Sequence, residues 1–217
     1  MIIAVDGPAG AGKSTVAKAV ARRLGWSYLD TGAMYRAVAL RALESGVSPE
    51  EGDSVAAIAR AVDIVATDDS VRLDGRDVSA RIRDEDVTNA VPAVSALPAV
   101  RHAMVALQRR AAARGEVVIE GRDIGTNVAP EAEVKVFLTA TPAERARRRL
   151  RQQGLPESPE ILEQVEASIR ARDTADSTRS ESPLIQDPDA VPIDSTDMSV
   201  DEVVAAIVEL VEQKVAK

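Results

Sequence analysis

Apolar positions along this chain come in two textures: short continuous runs, and stripes spaced at helical intervals. Ile2-Ile3-Ala4-Val5 is a run of the length of a buried strand. Behind it Val16, Ala17, Val20 and Leu24 fall on one helical face, and Gly25 follows as a C-cap. Ser27-Tyr28-Leu29 predicts a second short strand. Helix signals then run from about Ala33 to Glu44 and close at Gly46, and Ser48 to Ala61 reads as a loop and a short helix. Val62-Asp63-Ile64-Val65 and Val71-Arg72-Leu73 alternate like half-buried strands, with turns at Asp68-Asp69 and Asp74-Gly75. They predict a small antiparallel insert over about 62–95. Pro98 opens a helix striped by Val100, Met104, Leu107 and Ala111, which Gly115 ends.

The second half repeats the alternation. Val117-Val118-Ile119, with Glu120 at its end, and Val134 to Leu138 read as buried strands. Thr141-Pro142-Ala143-Glu144 is a capping box opening a helix that runs to Gly154. Ser158-Pro159 starts another helix, with Ile161, Val165 and Ile169 inside. A polar, loop-like stretch is expected from Asp173 to Ala190, then a short strand at Val191-Pro192-Ile193. Ser199 and Glu202 box the start of a terminal helix. Strands alternating with helices predict an α/β fold with a mainly parallel sheet. The 217 residues show no repeat, low-complexity tail or linker, so a single domain over 1–217 is expected.

Composition narrows the function classes. Aromatics are only 2% of the chain, so the core must be aliphatic and base stacking on aromatic rings is disfavoured. There is no cysteine, which excludes disulfides, thiolate nucleophiles and zinc–thiolate clusters. No apolar stretch reaches the ~18–20 residues of a membrane span, and Met1 leads into a strand without the basic segment of a signal peptide. These features point to a cytoplasmic protein with no membrane partner. The net charge of −8 argues against nucleic-acid binding, which needs a basic footprint. No exposed apolar stripe calls for a partner, so a monomer is expected.

Between the first strand and first helix lies Gly7-Pro8-Ala9-Gly10-Ala11-Gly12-Lys13-Ser14-Thr15, which fits the phosphate-binding pattern G-x-x-x-x-G-K-[ST]. Glycines let the backbone approach a phosphate chain, and its N–H groups converge at a helix N-terminus that favours anions. Lys13 is expected to reach the β- and γ-phosphates of a nucleoside triphosphate, and the Ser14 hydroxyl to ligate Mg²⁺. The motif does not name the acceptor.

Other residues bear on the acceptor. Asp30-Thr31-Gly32, with Tyr35 and Arg36, and Gly121-Arg122-Asp123 follow strands at the end where ligands bind in open α/β sheets. Arg172, Asp173, Asp176 and Arg179 fall in the expected late loop. Arg145, Arg147, Arg148, Arg149 and Arg151 crowd one helix. Like charges at i, i+4, such as Arg145 and Arg149, destabilise a helix, and little beyond Ala146 and Leu150 is apolar there. That helix reads as part of a mobile lid, about 142–172, with Arg145 and Arg149 closing on the triphosphate. The only histidine, His102, lies opposite the apolar stripe of its helix and is expected to face solvent. A kinase acting on an alcohol needs a base or a positioning carboxylate for the hydroxyl. A phosphate acceptor is already an anionic nucleophile, and its repulsion from the donor is countered by arginine and Mg²⁺. Many arginines without a histidine base therefore suggest transfer to a phosphate.

The chain resembles the bacterial cytidylate kinases, P-loop nucleoside monophosphate kinases, over essentially its whole length. The marks are Ile2-Ile3-Ala4-Val5-Asp6-Gly7-Pro8, Leu29-Asp30-Thr31-Gly32-Ala33-Met34-Tyr35-Arg36, Glu120-Gly121-Arg122-Asp123-Ile124-Gly125-Thr126, Arg172-Asp173 through Asp176 to Arg179, and Ile193-Asp194-Ser195-Thr196. The resemblance implies a five-stranded parallel sheet, a lid, and a monophosphate-binding insert at about 62–95. It implies the reaction of ATP with CMP or dCMP to give ADP and CDP or dCDP. Arg36, Arg122 and Arg179 would hold the acceptor phosphate, with Thr31 beside them. Asp123 and Arg101 would read cytosine, and Arg172 and Asp176 would face the sugar. A carboxylate suits the exocyclic amine of cytosine, where uracil presents a carbonyl. The chain departs from the pattern at Pro92, where the family often has a serine near the base, and Ser95 is the nearby hydroxyl.

Two alternatives remain. A P-loop kinase acting on UMP, AMP or an alcohol is disfavoured by the Arg122-Asp123 loop and the insert. A non-catalytic nucleotide-responsive module is disfavoured by the intact Lys13-Ser14 and the lid arginines. The absence of an N-K-x-D signature argues against a GTPase.

Overall fold

The computed structural model describes residues 1–67, 69–113 and 115–216. Its core is a five-stranded parallel sheet of β1 (Ile2–Asp6), β2 (Ser27–Asp30), β6 (Val117–Glu120), β7 (Val134–Thr139) and β8 (Val191–Asp194), in the order β2-β6-β1-β7-β8. β1 occupies the centre, and its register sets Val5 opposite Glu120 and Asp6 opposite Phe137. The C-terminal ends of β1, β2 and β6 therefore open at one edge of the sheet, where chain reversal in open α/β sheets leaves a ligand crevice.

The period of two in the strands sorts side chains onto the two faces. Ile3, Val5, Val118, Val136 and Leu138 pack with α1 (Lys13–Leu24) and α8 (Val200–Val215). Ala4, Leu29, Val117 and Ile119 pack on the other face with α2 (Thr31–Glu44) and α5 (Pro98–Ala112). The second core also takes in α3 (Gly52–Ala61) and the small antiparallel sheet of β3 (Ile64–Ala66), β4 (Val71–Leu73) and β5 (Arg76–Asp77). Gly7, straight after β1, has φ 146°, and a Cβ there would lie 1.9 Å from the Leu138 carbonyl oxygen. Only glycine lets the loop leave the sheet so close to β7.

Three expectations change. The antiparallel strands end at Asp77, and the rest of the 62–95 stretch is a 3₁₀ turn at Arg81–Arg83 and helix α4 (Glu85–Ala96). Asp68, half of one expected turn, lies outside the described residues. Pro92 sits inside α4, where it has no N–H to donate to the carbonyl four residues back. The break between α4 and α5 falls at Leu97, and Pro98 opens α5 as expected.

The second change is in the expected late loop. α7 runs Pro159–Thr178, so Asp173 and Asp176 are helical and Arg179 is its C-cap. The polar residues are accommodated by back-bonding: the Thr174 hydroxyl donates to the Arg170 carbonyl (3.0 Å) and the Thr178 hydroxyl to the Thr174 carbonyl (2.8 Å). Third, α6 (Pro142–Gln153) has only half of its expected capping box. Thr141 accepts from the Glu144 N–H, while the Glu144 carboxylate accepts from Arg148 and Arg151. The box at Ser199 and Glu202 is complete. No single helix among the described residues is long and apolar enough to cross a membrane.

Candidate active site

The crevice above β1, β2 and β6 is a cleft of about 930 Å³. The P-loop forms one wall. Lys13, the first residue of α1, is buried, and its Nζ donates to the Pro8 carbonyl at 2.8 Å. Burial first, then the charge of Arg122, pushes its pKa down to about 7. Ser14 and Thr15 are exposed to the cleft. Behind them stands Glu120, buried at the end of β6, whose carboxylate accepts from the Tyr28 hydroxyl. Burial, and then Asp30, push the Glu120 carboxyl up, while Lys13 and a hydrogen bond with Ser14 oppose that shift.

The opposite wall carries the arginines. Asp30 caps α2 by accepting from the Ala33 N–H (2.8 Å), and this cap sets Thr31 and Arg36 on the first turns facing the cleft. Thr31 Oγ1 donates to the Glu120 carbonyl (2.7 Å), and Arg36 Nη1 donates to Thr88 Oγ1 (2.8 Å) on α4. Arg122 Nε donates to Asp176 Oδ2 at 2.9 Å. Arg101, with a side chain 3% exposed, pairs with Asp123 Oδ2 at 2.6 Å, and its guanidinium lies over the Tyr35 ring at 5.6 Å. Arg179 lies 3.5 Å from Asp176 and 3.7 Å from Asp123. Arg172 completes the group from α7.

Charge is unbalanced here. Nine arginines and Lys13 line the cleft, Arg36, Arg101, Arg122, Arg172 and Arg179 among them, against the five carboxylates of Asp30, Glu120, Asp123, Glu144 and Asp176. Burial and mutual repulsion lower the pKa of Arg172 to about 10, with Arg122 as its main repelling neighbour, and lower those of Arg36 and Arg179 as well. Arg179 Nη2 and Arg101 Nε are buried without a hydrogen-bond partner. Both guanidinium groups pair with Asp123, yet these N–H groups remain donors without an acceptor at hydrogen-bond distance.

Most sequence-derived candidates meet in this one cleft: Gly10, Ala11, Gly12, Lys13, Ser14, Thr15, Thr31, Arg36, Arg101, Arg122, Asp123, Arg149, Arg172, Asp176 and Arg179, together with Ala9. Gly7 and Pro8 are buried beneath the loop and shape it from behind. Arg145 does not line the cleft. It is buried, donating Nη1 to the Ala9 carbonyl (2.9 Å) and to Asp173 Oδ2 (2.6 Å), and Nε to the Ala140 carbonyl (3.0 Å). It buttresses the P-loop backbone. Gly10 is glycine for the same contact: φ is 78°, and a Cβ would stand 3.1 Å from the Arg145 Cβ.

Sequence does not single out Arg148 from its four arginine neighbours, but it lines the cleft and donates to the Ala11 carbonyl (3.3 Å) and to the Ser195 carbonyl (2.6 Å). Thr88 and Arg83 also escape a sequence reading, because α4 and the turn before it look like part of a β insert. Pro92 is exposed and does not line the cleft. Ser95, one turn on, does, and its carbonyl accepts from Arg101. His102 is exposed, as expected, and outside the cleft.

Among solved structures, the shikimate kinase of Bacteroides thetaiotaomicron is similar in fold, with a TM-score of 0.50 and 18% identity over 98% of both chains. Curated relatives are much nearer. The cytidylate kinase of Solibacter usitatus is 48% identical over 217 residues, covering 99% of this chain and 94% of the relative. That of Mycobacterium leprae is 48% identical over 215 residues, covering 99% and 96%. The family model described as cytidylate kinase matches residues 3–213. Similar in sequence to these kinases over its whole length, and with a P-loop facing an arginine cluster, the chain belongs to the cytidylate kinase family.

Proposed function

We propose that this protein transfers the γ-phosphoryl group of ATP to CMP or dCMP, giving ADP and CDP or dCDP. The observation that carries the reading is the charge imbalance: nine arginines and Lys13 face five carboxylates around the P-loop, in a cleft whose lining holds no histidine. An alcohol acceptor would need a base. A phosphate acceptor needs cations that cancel its repulsion from the triphosphate.

The residues divide by position. The P-loop backbone and Lys13 hold the β- and γ-phosphates, with Arg149 reaching in from α6. Arg36, Arg122 and Arg179 grip the acceptor phosphate, beside Thr31. Asp123 accepts from the cytosine amine and Arg101 fixes Asp123 while pointing toward the base. Arg172 and Asp176 face the sugar. An acceptor phosphate oxygen attacks the γ-phosphorus in line, the bond to the β–γ bridging oxygen breaks, and ADP leaves. Lys13, Arg122 and Arg179 stabilise the charge spread over the transferring group.

Mg²⁺ prefers a few protein oxygens together with phosphates and water. The exposed Ser14 hydroxyl, hydrogen-bonded to the buried Glu120 carboxylate, fits that preference. Ser14 would hold the ion, with Glu120 behind it, and the ion would neutralise charge between the β- and γ-phosphates. We assign 62–95 as the monophosphate-binding segment, made of both the small sheet and α4, and 142–172 as the lid. Arg145 and Arg148 anchor the root of that lid to the P-loop, so its free end is what moves. The chain acts as a cytoplasmic monomer in this reading.

The test is ADP formation from MgATP with each nucleoside monophosphate in turn. CMP and dCMP should stimulate it far above UMP, AMP and GMP. A preference for UMP would leave the phosphoryl chemistry standing and overturn the base assignment. Stimulation by none of them would overturn the acceptor.

A further inference from the structure

Asp6 is the last residue of β1 and the residue before the P-loop, and its carboxylate reaches across to the neighbouring Ile124–Val128 turn. It is buried, 6% exposed. Oδ1 accepts the Ile124 N–H at 2.9 Å and Oδ2 accepts the Gly125 N–H at 2.8 Å. Those amides open the tight turn at Ile124–Val128, which follows directly on Arg122 and Asp123. The turn is wound with i→i+5 bonds, such as Ala129 N–H to the Ile124 carbonyl at 2.7 Å, a form rare in proteins and frequent at functional sites. Asp123 has φ −146° and ψ 30°, outside helical geometry, so the chain bends between the strand end and the turn. At Gly125 a Cβ would crowd Lys135 Cδ at 3.2 Å and stand in ordinary contact with Asp6 Oδ2 at 3.5 Å.

We propose that Asp6 is a positioning residue for the acceptor: its two carboxylate oxygens hold the turn that aims Arg122 and Asp123, and lock that turn in register with the P-loop one residue away. The inference rests on the assignment of Arg122 and Asp123 to the acceptor side. The need for two acceptors is chemical. An ionised carboxylate presents only lone pairs to two converging N–H groups, and any proton or amide hydrogen there opposes one of them. Loss of one bond tilts the turn, and the Asp123 carboxylate and Arg122 guanidinium move with it.

The charges facing Asp6 are Lys13 from the P-loop, Asp123 from the turn's own entry, and Lys135 on β7, whose ammonium is held by Asp187 at 2.9 Å. Burial, with a smaller push from Asp123, raises the Asp6 carboxyl to about 6, against the two N–H bonds that hold it down. The two-acceptor state is therefore half populated at about pH 6, complete a unit or more above it, and lost as pH falls further.

The experiment compares wild type with Asp6→Asn, and with the smaller Asp6→Ser should asparagine prevent folding. Three quantities are read: KM for CMP at saturating MgATP, the dissociation constant of MgATP measured calorimetrically without acceptor, and the amide shifts of Ile124 and Gly125 from pH 5 to 8. In the variant the KM for CMP should rise tenfold or more at pH 7.5, with the MgATP constant within twofold. The ratio of variant to wild-type KM should shrink as pH falls through about 6. The phosphate of CMP titrates in the same range but cancels in that ratio. The Ile124 and Gly125 amides should titrate near pH 6 in wild type and not in the variant. An unchanged KM for CMP, or equal weakening of CMP and MgATP, overturns the proposal, as do amides that do not titrate. If wild type does not use CMP at all, the assignment of the reaction fails instead; the amide titration then still reports whether Asp6 holds the turn.

Discussion

Asp123→Asn removes one charge from the most enclosed ion pair of the cleft. Arg101 is 3% exposed at its side chain, Asp123 9%, and the pair meets at 2.6 Å. Asparagine keeps the size and one carbonyl oxygen, so Arg101 retains a neutral acceptor while losing its counter-charge. Removing one member of a buried pair costs about 3–5 kcal/mol. The retained oxygen puts this change near the lower end, about 3 kcal/mol, or roughly 6–12 °C in Tm for a chain of this size. The effect on substrate is separate. A hydrogen bond to a charged group contributes about 1.5–3 kcal/mol, so its loss at the cytosine amine should lower kcat/KM for CMP roughly 10- to 150-fold. MgATP affinity should hold, because the donor contacts come from the P-loop and α6. Steady-state kinetics at a temperature where both proteins are folded, with calorimetric MgATP binding, separates the two effects. A variant that weakens MgATP and CMP alike, or that uses CMP as well as wild type does, would refute the acceptor role of Asp123.

Lys13→Met should lower turnover by at least 10²-fold, the scale of losing one transition-state donor, and should not lower Tm. The folded-state pKa of Lys13 lies at about 7 against 10.5 when free, so between these values the unfolded chain binds more protons and wild-type stability rises with pH across that window. At 1.36 kcal/mol per unit the buried cation costs on the order of 4 kcal/mol at neutral pH; thermal melts that show a marked loss in the methionine variant, or the same pH slope in both proteins, would contradict this. MgATP binding at pH 8 should take up close to one proton as Lys13 recharges against phosphate, which calorimetry in buffers of different ionisation enthalpy measures. Arg145→Ala should destabilise the protein by about 3 kcal/mol, leaving Asp173 half-buried without its partner. It should also raise KM for ATP by freeing the Ala9 carbonyl, whereas an Arg145 that only lined the cleft would change KM without changing Tm.

The sheet is readable because its central strands β1 and β6 are short apolar runs closed by an acidic residue and glycine, and because the P-loop dictates a phosphate-binding turn and a helix straight after β1. The arginines are readable as a cluster but not as individuals. Five arginines within Arg145–Arg151 look alike in sequence, and only the turn of α6 decides that Arg145 goes under the P-loop, Arg148 along it and Arg149 into the cleft. α4 is hidden by Pro92, since a proline in a helix interior costs a bond that local propensity counts in full while the packing of Val87, Val91 and Val94 into the core offsets it. The C-terminal half of α7 is hidden by Asp173, Thr174, Asp176, Ser177 and Thr178, residues that favour turns unless tertiary partners recruit them. Here Arg145 and Arg122 do so, at Asp173 and Asp176. Asp6 carries no signal of its role, because its partners are amides 118 and 119 residues away.

The most direct test of the account is the fate of the label when [γ-³²P]ATP, Mg²⁺ and CMP are incubated with the purified protein and the nucleotides are separated. The account predicts label in CDP, in step with ADP and dependent on CMP, with little inorganic phosphate. Label released as phosphate whether or not CMP is present, or label that stays in ATP, would contradict it.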